Sequence, residues 1–96
     1  MLCLKLMEFE WDQNKASFNI SKHGVSFDEA KSVFDDPLYI DFFDPDHSID
    51  EHRYIILGRS LNKRLLLVAY TEREDIIRII SARETSRKER RDYEEG

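Results

Sequence analysis

The sequence contains very little cysteine, glycine or proline. Its 96 residues include 1 cysteine, 3 glycines and 2 prolines. Because Cys3 has no partner for an intramolecular disulfide, and lone thiols are typical of reducing compartments, we expect a cytoplasmic location. Three glycines are too few for the loops that hold nucleotide phosphates, and no serine lies in a Gly-x-Ser-x-Gly turn. The sequence therefore excludes a disulfide-stapled scaffold and predicts no cofactor.

Long hydrophobic runs are also missing. No segment approaches the roughly 18 apolar residues that identify a membrane-spanning helix, so we expect no membrane association. The N-terminal run is too short for a signal peptide, and the alternation of Leu2, Leu4 and Leu6 predicts a strand. With 41% hydrophobic and 36% charged residues, the composition indicates one small globular domain over residues 1–96.

Charge is distributed unevenly along this acidic chain. The formal net charge is −5, yet residues 52–91 carry 11 Lys/Arg and 5 Asp/Glu, whereas residues 1–51 carry 4 and 12. A basic half within an acidic chain indicates a polyanionic partner such as a nucleic acid. The alternative, that the acidic half neutralises the basic half internally, is equally consistent with the sequence.

Two helices are predicted near the N-terminus. Asp12 can cap the first helix, Ala16 and Ile20 would face the core, and Gly24 would end it in a left-handed conformation. Ser26, with a glutamate three residues later, forms a capping box that begins the second helix. Its core face would comprise Phe27, Ala30 and Phe34.

Strands follow the helices. The β-rich runs are residues 38–43, 53–58, 64–71 and 76–82. Short connections between the last three predict antiparallel hairpins. A second capping box, Ser86 with Glu89, begins a last helix whose single apolar residue is Tyr93. We therefore predict an α+β domain of order β-α-α-β-β-β-β-α, in which two N-terminal helices pack on an antiparallel sheet and the C-terminal helix is polar.

One acidic loop resembles half of a calcium site. Its oxygen-bearing residues are Asp44, Asp46, Ser48 and Asp50. Ile49 stands where the turn needs glycine, and Ile55 stands where a bidentate glutamate would bind. We therefore predict no metal site and interpret the segment as a solvated loop.

Histidine and arginine are the candidates for chemistry. Histidine side chains ordinarily titrate near neutral pH, so His23 could transfer a proton, although a histidine that only stabilises a helix end is the alternative that local sequence favours. Arg53, Arg78 and Arg83 could grip a phosphate and offset its developing charge. Strand alternation puts Arg78 and Arg83 on opposite faces unless the strand ends or bulges near Ser81.

The last helix carries a basic stripe. Arg87, Arg90 and Arg91 are spaced i, i+3 and i+4, so they share one face that could bind RNA. A merely solvated face, with Glu94 and Glu95 beside it, is the open alternative.

Taken together, these segments resemble the BrnT family of toxins. The resemblance lies in Phe9-Glu-Trp-Asp12 with Lys15, Asn19-Ile-Ser-Lys-His-Gly-Val-Ser-Phe27, Phe34-Asp-Asp-Pro37, Glu51-His-Arg-Tyr54 with Gly58, Thr71-Glu-Arg73, and Arg78-Ile-Ile-Ser-Ala-Arg83 through Glu89-Arg90 and Tyr93-Glu94. It covers residues 7–96. It implies a RelE-like fold, an RNA-cleaving toxin that inhibits translation and growth, and a BrnA-type antitoxin partner, with which the family forms a heterotetramer that binds DNA through the antitoxin.

The resemblance also suggests which residues act. The polar positions of the family pattern are occupied here by Lys22, His23, Gly24, Arg53, Glu72, Arg78 and Arg83. We expect metal-independent cleavage in which the ribose 2′-hydroxyl attacks phosphorus, with His23 or Glu72 as acid or base and the arginines on the phosphate. Lys22 and the helical stripe would bind RNA. The alternative is a non-catalytic protein- or RNA-binding module that acts with an antitoxin as a transcriptional autoregulator.

Overall fold

Within residues 7–47 and 51–95, which the computed structural model describes, the chain forms three α-helices and five β-strands. The elements are β1 (Glu8–Glu10), α1 (Gln13–His23), α2 (Phe27–Ser32), β2 (Ile40–Phe43), β3 (Arg53–Arg59), β4 (Leu65–Arg73), β5 (Ile76–Glu84) and α3 (Arg87–Glu95). Short 3₁₀ turns over Val33–Asp35 and Pro45–His47 flank β2. The predicted α+β class is confirmed. None of the helices in these two segments has the length and apolarity needed to cross a membrane.

The strands form one mixed sheet in the order β1-β5-β4-β3-β2. Strands β2 to β5 pair antiparallel, as their short connections require, but β1 pairs parallel to β5. The prediction of a wholly antiparallel sheet is therefore wrong. No hairpin joins β1 to its neighbour, because both N-terminal helices and three strands intervene, so local turn geometry does not fix its direction. The predicted strand over Leu2, Leu4 and Leu6 lies outside the described residues.

Capping side chains place α1 and α2. Asp12 accepts a hydrogen bond from the Lys15 N–H, and Gly24 ends α1 in the left-handed conformation, with φ of 68°. The prediction that Ile20 faces the core is wrong, since that side chain is 52% exposed. Asn19 takes the buried position: its amide donates to the Val25 and Ala82 carbonyls and accepts from the Ala82 N–H, which fixes α1 on β5.

The main core lies between these two helices and one face of the sheet, here called the helical face. It is lined by Val25, Phe27, Ala30 and Val33 from the helical segment and by Ile56, Leu66, Val68, Tyr70, Ile77, Ile79 and Ala82 from the strands. Phe34 packs edge-on between Phe9 and Tyr70, with ring centroids at 5.1 and 5.0 Å. The predicted core positions of α2 are confirmed.

The opposite side of the sheet, the outer face, is covered at one end by α3. A complete capping box begins this helix, because Ser86 Oγ accepts from the Glu89 N–H and the Glu89 carboxylate accepts from the Ser86 N–H. Tyr93 reaches β3, where Arg59 lies 5.7 Å from its ring centroid, and its hydroxyl donates to Asp36. Since β5 leads into α3 and Tyr93 contacts β3, the helix crosses the strands.

Candidate functional site

A row of polar side chains crosses four strands at the end of the sheet where β3 begins. Arg53 pairs with Thr71, Thr71 with Arg78, and Arg78 with Glu10. Residues opposite each other on neighbouring strands place their side chains on the same face. Tyr70 and Ile77, which alternate with Thr71 and Arg78, pack in the helical core. The row therefore lies on the outer face, with about 5 Å between strands.

Arg73 and Glu51 extend this row. Arg73 is two residues beyond Thr71 on β4, so it shares the outer face. The Glu51 carboxylate accepts hydrogen bonds from Arg73 Nε and, at 3.0 Å, from Arg73 Nη2. These bonds lower the pKa of Glu51, against a smaller opposing effect of desolvation, and the charges of Arg73, Arg78 and Arg53 add to the lowering. One carboxylate thus lies in the field of three guanidinium groups. We call Arg53, Arg73 and Arg78 the arginine cluster.

Two members of the cluster, Arg73 and Arg78, are accessible to solvent, while Arg53 is partly buried. Arg73 and Arg78 have side chains that are 59% and 33% exposed, and Arg78 donates to Glu10 at 3.0 Å. Ion pairs with that exposure contribute little to stability because solvent screens them, so an incoming anion can replace the carboxylates. Between Arg53 and Arg78, the Thr71 hydroxyl is buried and makes no hydrogen bond to any described residue. Buried polar atoms usually have partners, and this one lies beside the cations.

A β-bulge determines where Arg83 lies. Tyr70 pairs with Ile79 while Ala69 pairs with Ser81, so Ile80 is an extra residue and the side-chain alternation of β5 is reset. Arg83 consequently shares the outer face with Arg78. It lies opposite Leu67, four residues along β4 from Thr71 and so about 13 Å from the cluster row.

Arg83 is bound to α3 rather than to the cluster. Two of its nitrogens donate to Glu89, each at 2.9 Å. This pairing, opposed by burial and assisted by the Ser86 N–H, lowers the pKa of Glu89 to about 2. Arg83 therefore attaches the last helix to the sheet.

The other sequence-predicted residues lie away from the cluster. Lys22 and His23 end α1 on the helical side, where the adjacent Gly24 carbonyl accepts from Arg64, and the Lys22 ammonium lies 5.7 Å from the Phe18 ring centroid. Glu72 alternates with Thr71 and Arg73, so it projects from the helical face. Consistent with that position, Glu72 acts on Tyr70 in the helical core: the pKa of Tyr70 is raised most by burial, then by the negative charge of Asp41 and then by that of Glu72.

The basic stripe on α3 is exposed to solvent. Arg87, Arg90 and Arg91 all lie on the surface, and Arg90 is 3.7 Å from Glu94. The helix is attached at the end of the sheet that carries Arg59 and Arg83. The stripe is therefore separate from the cluster, although both belong to the outer side of the molecule.

Sequence reasoning thus brought Arg53 and Arg78 together but missed Arg73, Glu51, Glu10 and Thr71. Part of the signal was present, because Arg73 lies two residues beyond Thr71, which is the spacing of one strand face. Cross-strand register then had to be known before those residues could be placed beside Arg53.

Comparison with known proteins supports the resemblance noted above. The model of the family described as the ribonuclease toxin BrnT of type II toxin–antitoxin systems matches residues 11–89. A similar solved structure is the crystal structure of the Brucella abortus ribonuclease toxin BrnT, with a TM-score of 0.62 and 21% identity over 85% of this chain and 100% of that chain. At that identity the likeness shows the fold alone. No curated protein matches. Because the family model spans most of the sequence, the chain belongs to the BrnT family of ribonuclease toxins of type II toxin–antitoxin systems.

Proposed function

We propose that this chain is an endoribonuclease toxin that cleaves RNA at the arginine cluster without a metal ion. The observation that carries the proposal is the convergence of Arg53, Arg73 and Arg78 around Glu51 on one accessible sheet face. Family membership supports ribonuclease chemistry, and the cluster is the group of cations that could deliver it. The RelE-like character of the fold is part of the same proposal.

Phosphate binding follows from guanidinium geometry. A planar guanidinium donates two parallel hydrogen bonds to phosphate oxygens and stays charged at any working pH. Three such groups on a rigid sheet would hold one phosphodiester and stabilise the extra negative charge that phosphorus acquires in the transition state. They supply the positive charge that a metal ion supplies in other nucleases. RNA beyond the cleaved linkage would run along the outer side toward Arg87, Arg90 and Arg91.

Glu51 is the best-placed proton acceptor. Attack of the 2′-oxygen forms a bond to phosphorus and breaks the bond to the 5′-oxygen, giving a 2′,3′-cyclic phosphate and a 5′-hydroxyl. The 2′-proton passes to the Glu51 carboxylate, and water protonates the leaving oxygen. When the phosphate takes the hydrogen bonds of Arg73, the pKa of Glu51 rises and the carboxylate becomes a stronger base. His23 and Glu72 project from the helical side, so we assign neither to the proton transfer.

The cellular role follows from the family. Cleavage of RNA in the cytoplasm would inhibit translation and growth, and a BrnA-type antitoxin would neutralise the toxin. The two chains would assemble as a heterotetramer, which would contact promoter DNA only through the antitoxin.

A second function is favoured by one observation. Two carboxylates, Glu51 and Glu10, already pair with the cluster, and this pairing weakens its attraction for RNA. A non-catalytic module that binds the antitoxin and regulates transcription would be compatible with such a neutralised face.

Cleavage of labelled RNA in the presence of EDTA separates the two functions. We expect the purified chain to produce 2′,3′-cyclic phosphate ends in EDTA, and Arg78→Ala to lower the rate about 10²- to 10³-fold, the usual effect of losing one donor to a developing oxyanion. Lys15→Ala, which removes an exposed cation from α1 on the helical side, is the matched control and should retain the rate within a few-fold. Absence of cleavage by the folded parent with and without Mg²⁺ would favour the non-catalytic module.

A further inference from the structure

On the side away from β3, the edge strand β2 has backbone groups that pair with no strand among the described residues. Asp44 donates its N–H to the Arg53 carbonyl at 2.8 Å, and Phe42 is registered with Ile55. Antiparallel strands exchange hydrogen bonds at every second residue, so Phe42 and Asp44 bond inward to β3. The N–H and carbonyl groups of Asp41 and Phe43 therefore point away from the sheet. They form a short template on which another strand can pair.

The side chains along this edge are apolar and exposed. The exposed fractions are 71% for Leu38, 46% for Tyr39, 50% for Phe42 and 44% for Phe43. Phe42 projects from the outer face and Phe43 from the helical face, where it contacts the Tyr54 ring. Solvent-exposed edges are usually protected by charged side chains, proline or a bulge; β2 has no proline or bulge, and its one charged residue, Asp41, projects from the helical face. An edge of this kind is typical of a protein-binding surface.

The surroundings of β2 are acidic. Between Lys31 and Arg53 the sequence has seven Asp/Glu and no Lys or Arg. Near the start of β2 lies a cleft of about 280 Å³, lined by Ser32, Asp35, Asp36, Pro37, Arg59, Ser60 and Leu61. Asp35 is exposed at this cleft. Negative potential repels RNA and attracts a cationic peptide, so charge selects the class of partner.

We infer that the β2 edge binds an extended segment of the antitoxin in which apolar residues alternate with Lys or Arg. Backbone pairing with Asp41 and Phe43 would give affinity, Phe42 and Phe43 would contact the apolar residues of the segment, and the acidic surroundings would accept its cations. This inference rests on the chain being a toxin that has an antitoxin. It does not depend on the cluster being catalytic.

The position of β2 would also let the segment act on the cluster. Strand β2 is adjacent to β3, and Phe42 faces Ile55, which is two residues from Arg53 on the same face. A strand added to β2 would lie two strand spacings, about 10 Å, from β3. Residues that extend from such a strand could reach the arginine cluster and cover it.

Hydrogen exchange and two variants test this inference with the cognate antitoxin. The background is Arg78→Ala, so that growth inhibition does not interfere with expression. We expect the amides of Asp41 and Phe43 to become protected from exchange in the complex. Phe42→Arg should weaken binding at least about tenfold, because it removes an apolar contact and repels a basic segment. Asp41→Pro should do the same by removing an outward N–H.

Phe18→Arg is the matched control. Phe18 is 64% exposed on α1. Asn19 of the same helix contacts β5, which lies toward the opposite edge of the sheet from β2, so substitution of Phe18 should leave the affinity for the antitoxin unchanged. Unprotected amides, or full affinity in both β2 variants, would overturn the inference. So would a homodimer of the chain alone that Phe42→Arg dissociates, since the edge would then bind a second copy.

Binding and cleavage are read out separately. In the absence of antitoxin, Phe42→Arg in the otherwise native chain should cleave RNA as the parent does. If the parent fails to cleave, the ribonuclease proposal falls while the binding results stand.

Discussion

Arg78 and Arg83 project from the same face of β5, although an odd number of positions separates them and a regular strand would place them on opposite faces. The extra residue Ile80 is the cause. The two arginines nevertheless have different environments: Arg78 belongs to the cluster and donates to Glu10, whereas Arg83 binds Glu89 at the start of α3. A shared face therefore does not make a shared role.

This difference predicts opposite effects of two alanine substitutions. Arg83→Ala should lower the free energy of unfolding by up to about 1 kcal/mol, the usual value of a partly exposed ion pair, and the melting temperature by a few degrees. Arg78→Ala should leave the melting temperature nearly unchanged and reduce cleavage. Thermal unfolding and an RNA cleavage assay on both variants provide the measurement. A stable but inactive Arg83→Ala variant would place Arg83 in the reaction instead.

Substitution of the proposed proton acceptor should separate binding from catalysis. Glu51→Gln removes a base but also removes a negative charge from the cluster. We expect kcat to fall about 10²- to 10⁴-fold while RNA binds as tightly as before or more tightly. Single-turnover cleavage and equilibrium RNA binding measure the two effects.

Glu72→Gln, on the other face of the same sheet, is the control and should change neither quantity. If Glu51→Gln instead raises kcat/KM, the carboxylate only competes with the substrate for the arginines.

Salt dependence should report the number of phosphate contacts. Each neutralised phosphate of a single strand contributes a slope of about −0.7 to the logarithm of affinity against the logarithm of salt concentration. One phosphodiester at the cluster and one further phosphate at each of Arg87, Arg90 and Arg91 predict a slope of about −3. Arg91→Ala should reduce its magnitude by about 0.7, and binding titrations across a range of NaCl concentrations check this. An unchanged slope for Arg91→Ala would remove that residue from the RNA interface.

The pairing of buried Glu29 with the partly exposed Arg64 predicts acid sensitivity. Arg64 Nε donates to Glu29 at 3.0 Å and Ser60 Oγ at 2.7 Å, and the carboxylate is 7% exposed. The hydrogen bond from Arg64, opposed by burial and assisted by Ser60, lowers the pKa of Glu29 to about 2 from an ordinary 4.5. The stabilisation is complete above the unfolded pKa and disappears as pH falls from about 5 to 2.

We therefore expect Glu29→Gln to reduce the free energy of unfolding at pH 7 by roughly 3 kcal/mol and to flatten its pH dependence below pH 5. Denaturant unfolding at several pH values measures both effects. Glu84→Gln is the control: Glu84 also pairs with Arg64 but is 59% exposed, so its loss should cost under about 1 kcal/mol. Equal losses from the two substitutions would show that burial does not set the value of this pair.

Local features of the fold could be predicted from the sequence, and long-range ones could not. Helix starts could be recognised at Asp12, Ser26 and Ser86, because each of these capping side chains accepts a hydrogen bond from the N–H only three residues later. Hairpin neighbours follow from short connections. The parallel pairing of β1 with β5 depends on the packing of Phe9 against Phe34, between residues distant in the sequence. The burial of Asn19 in place of Ile20 depends on the backbone of Ala82, which no helical periodicity reveals.

The candidate site could be predicted from the sequence to a similar extent. Arginine chemistry identified Arg53 and Arg78, and the bulge near Ser81 was recognised as the condition for Arg78 and Arg83 to share a face. Strand alternation could show that Glu72 projects from the opposite face to Arg73. It could not show that Glu51 accompanies the arginines, because the neighbours of Glu51 depend on how three strands pair with one another.

Asp36 holds three separate segments with one carboxylate, accepting from the Leu38 N–H at 2.9 Å, the Arg59 N–H at 2.7 Å and the Tyr93 hydroxyl at 2.6 Å. These hydrogen bonds attach the segment that leads into β2 to both β3 and α3. A rigid edge loses little conformational entropy when a partner strand docks, so more of the interaction energy would appear as affinity. Loss of these hydrogen bonds, as in Asp36→Ala, would therefore weaken the proposed binding of the antitoxin even without any contact between Asp36 and the antitoxin.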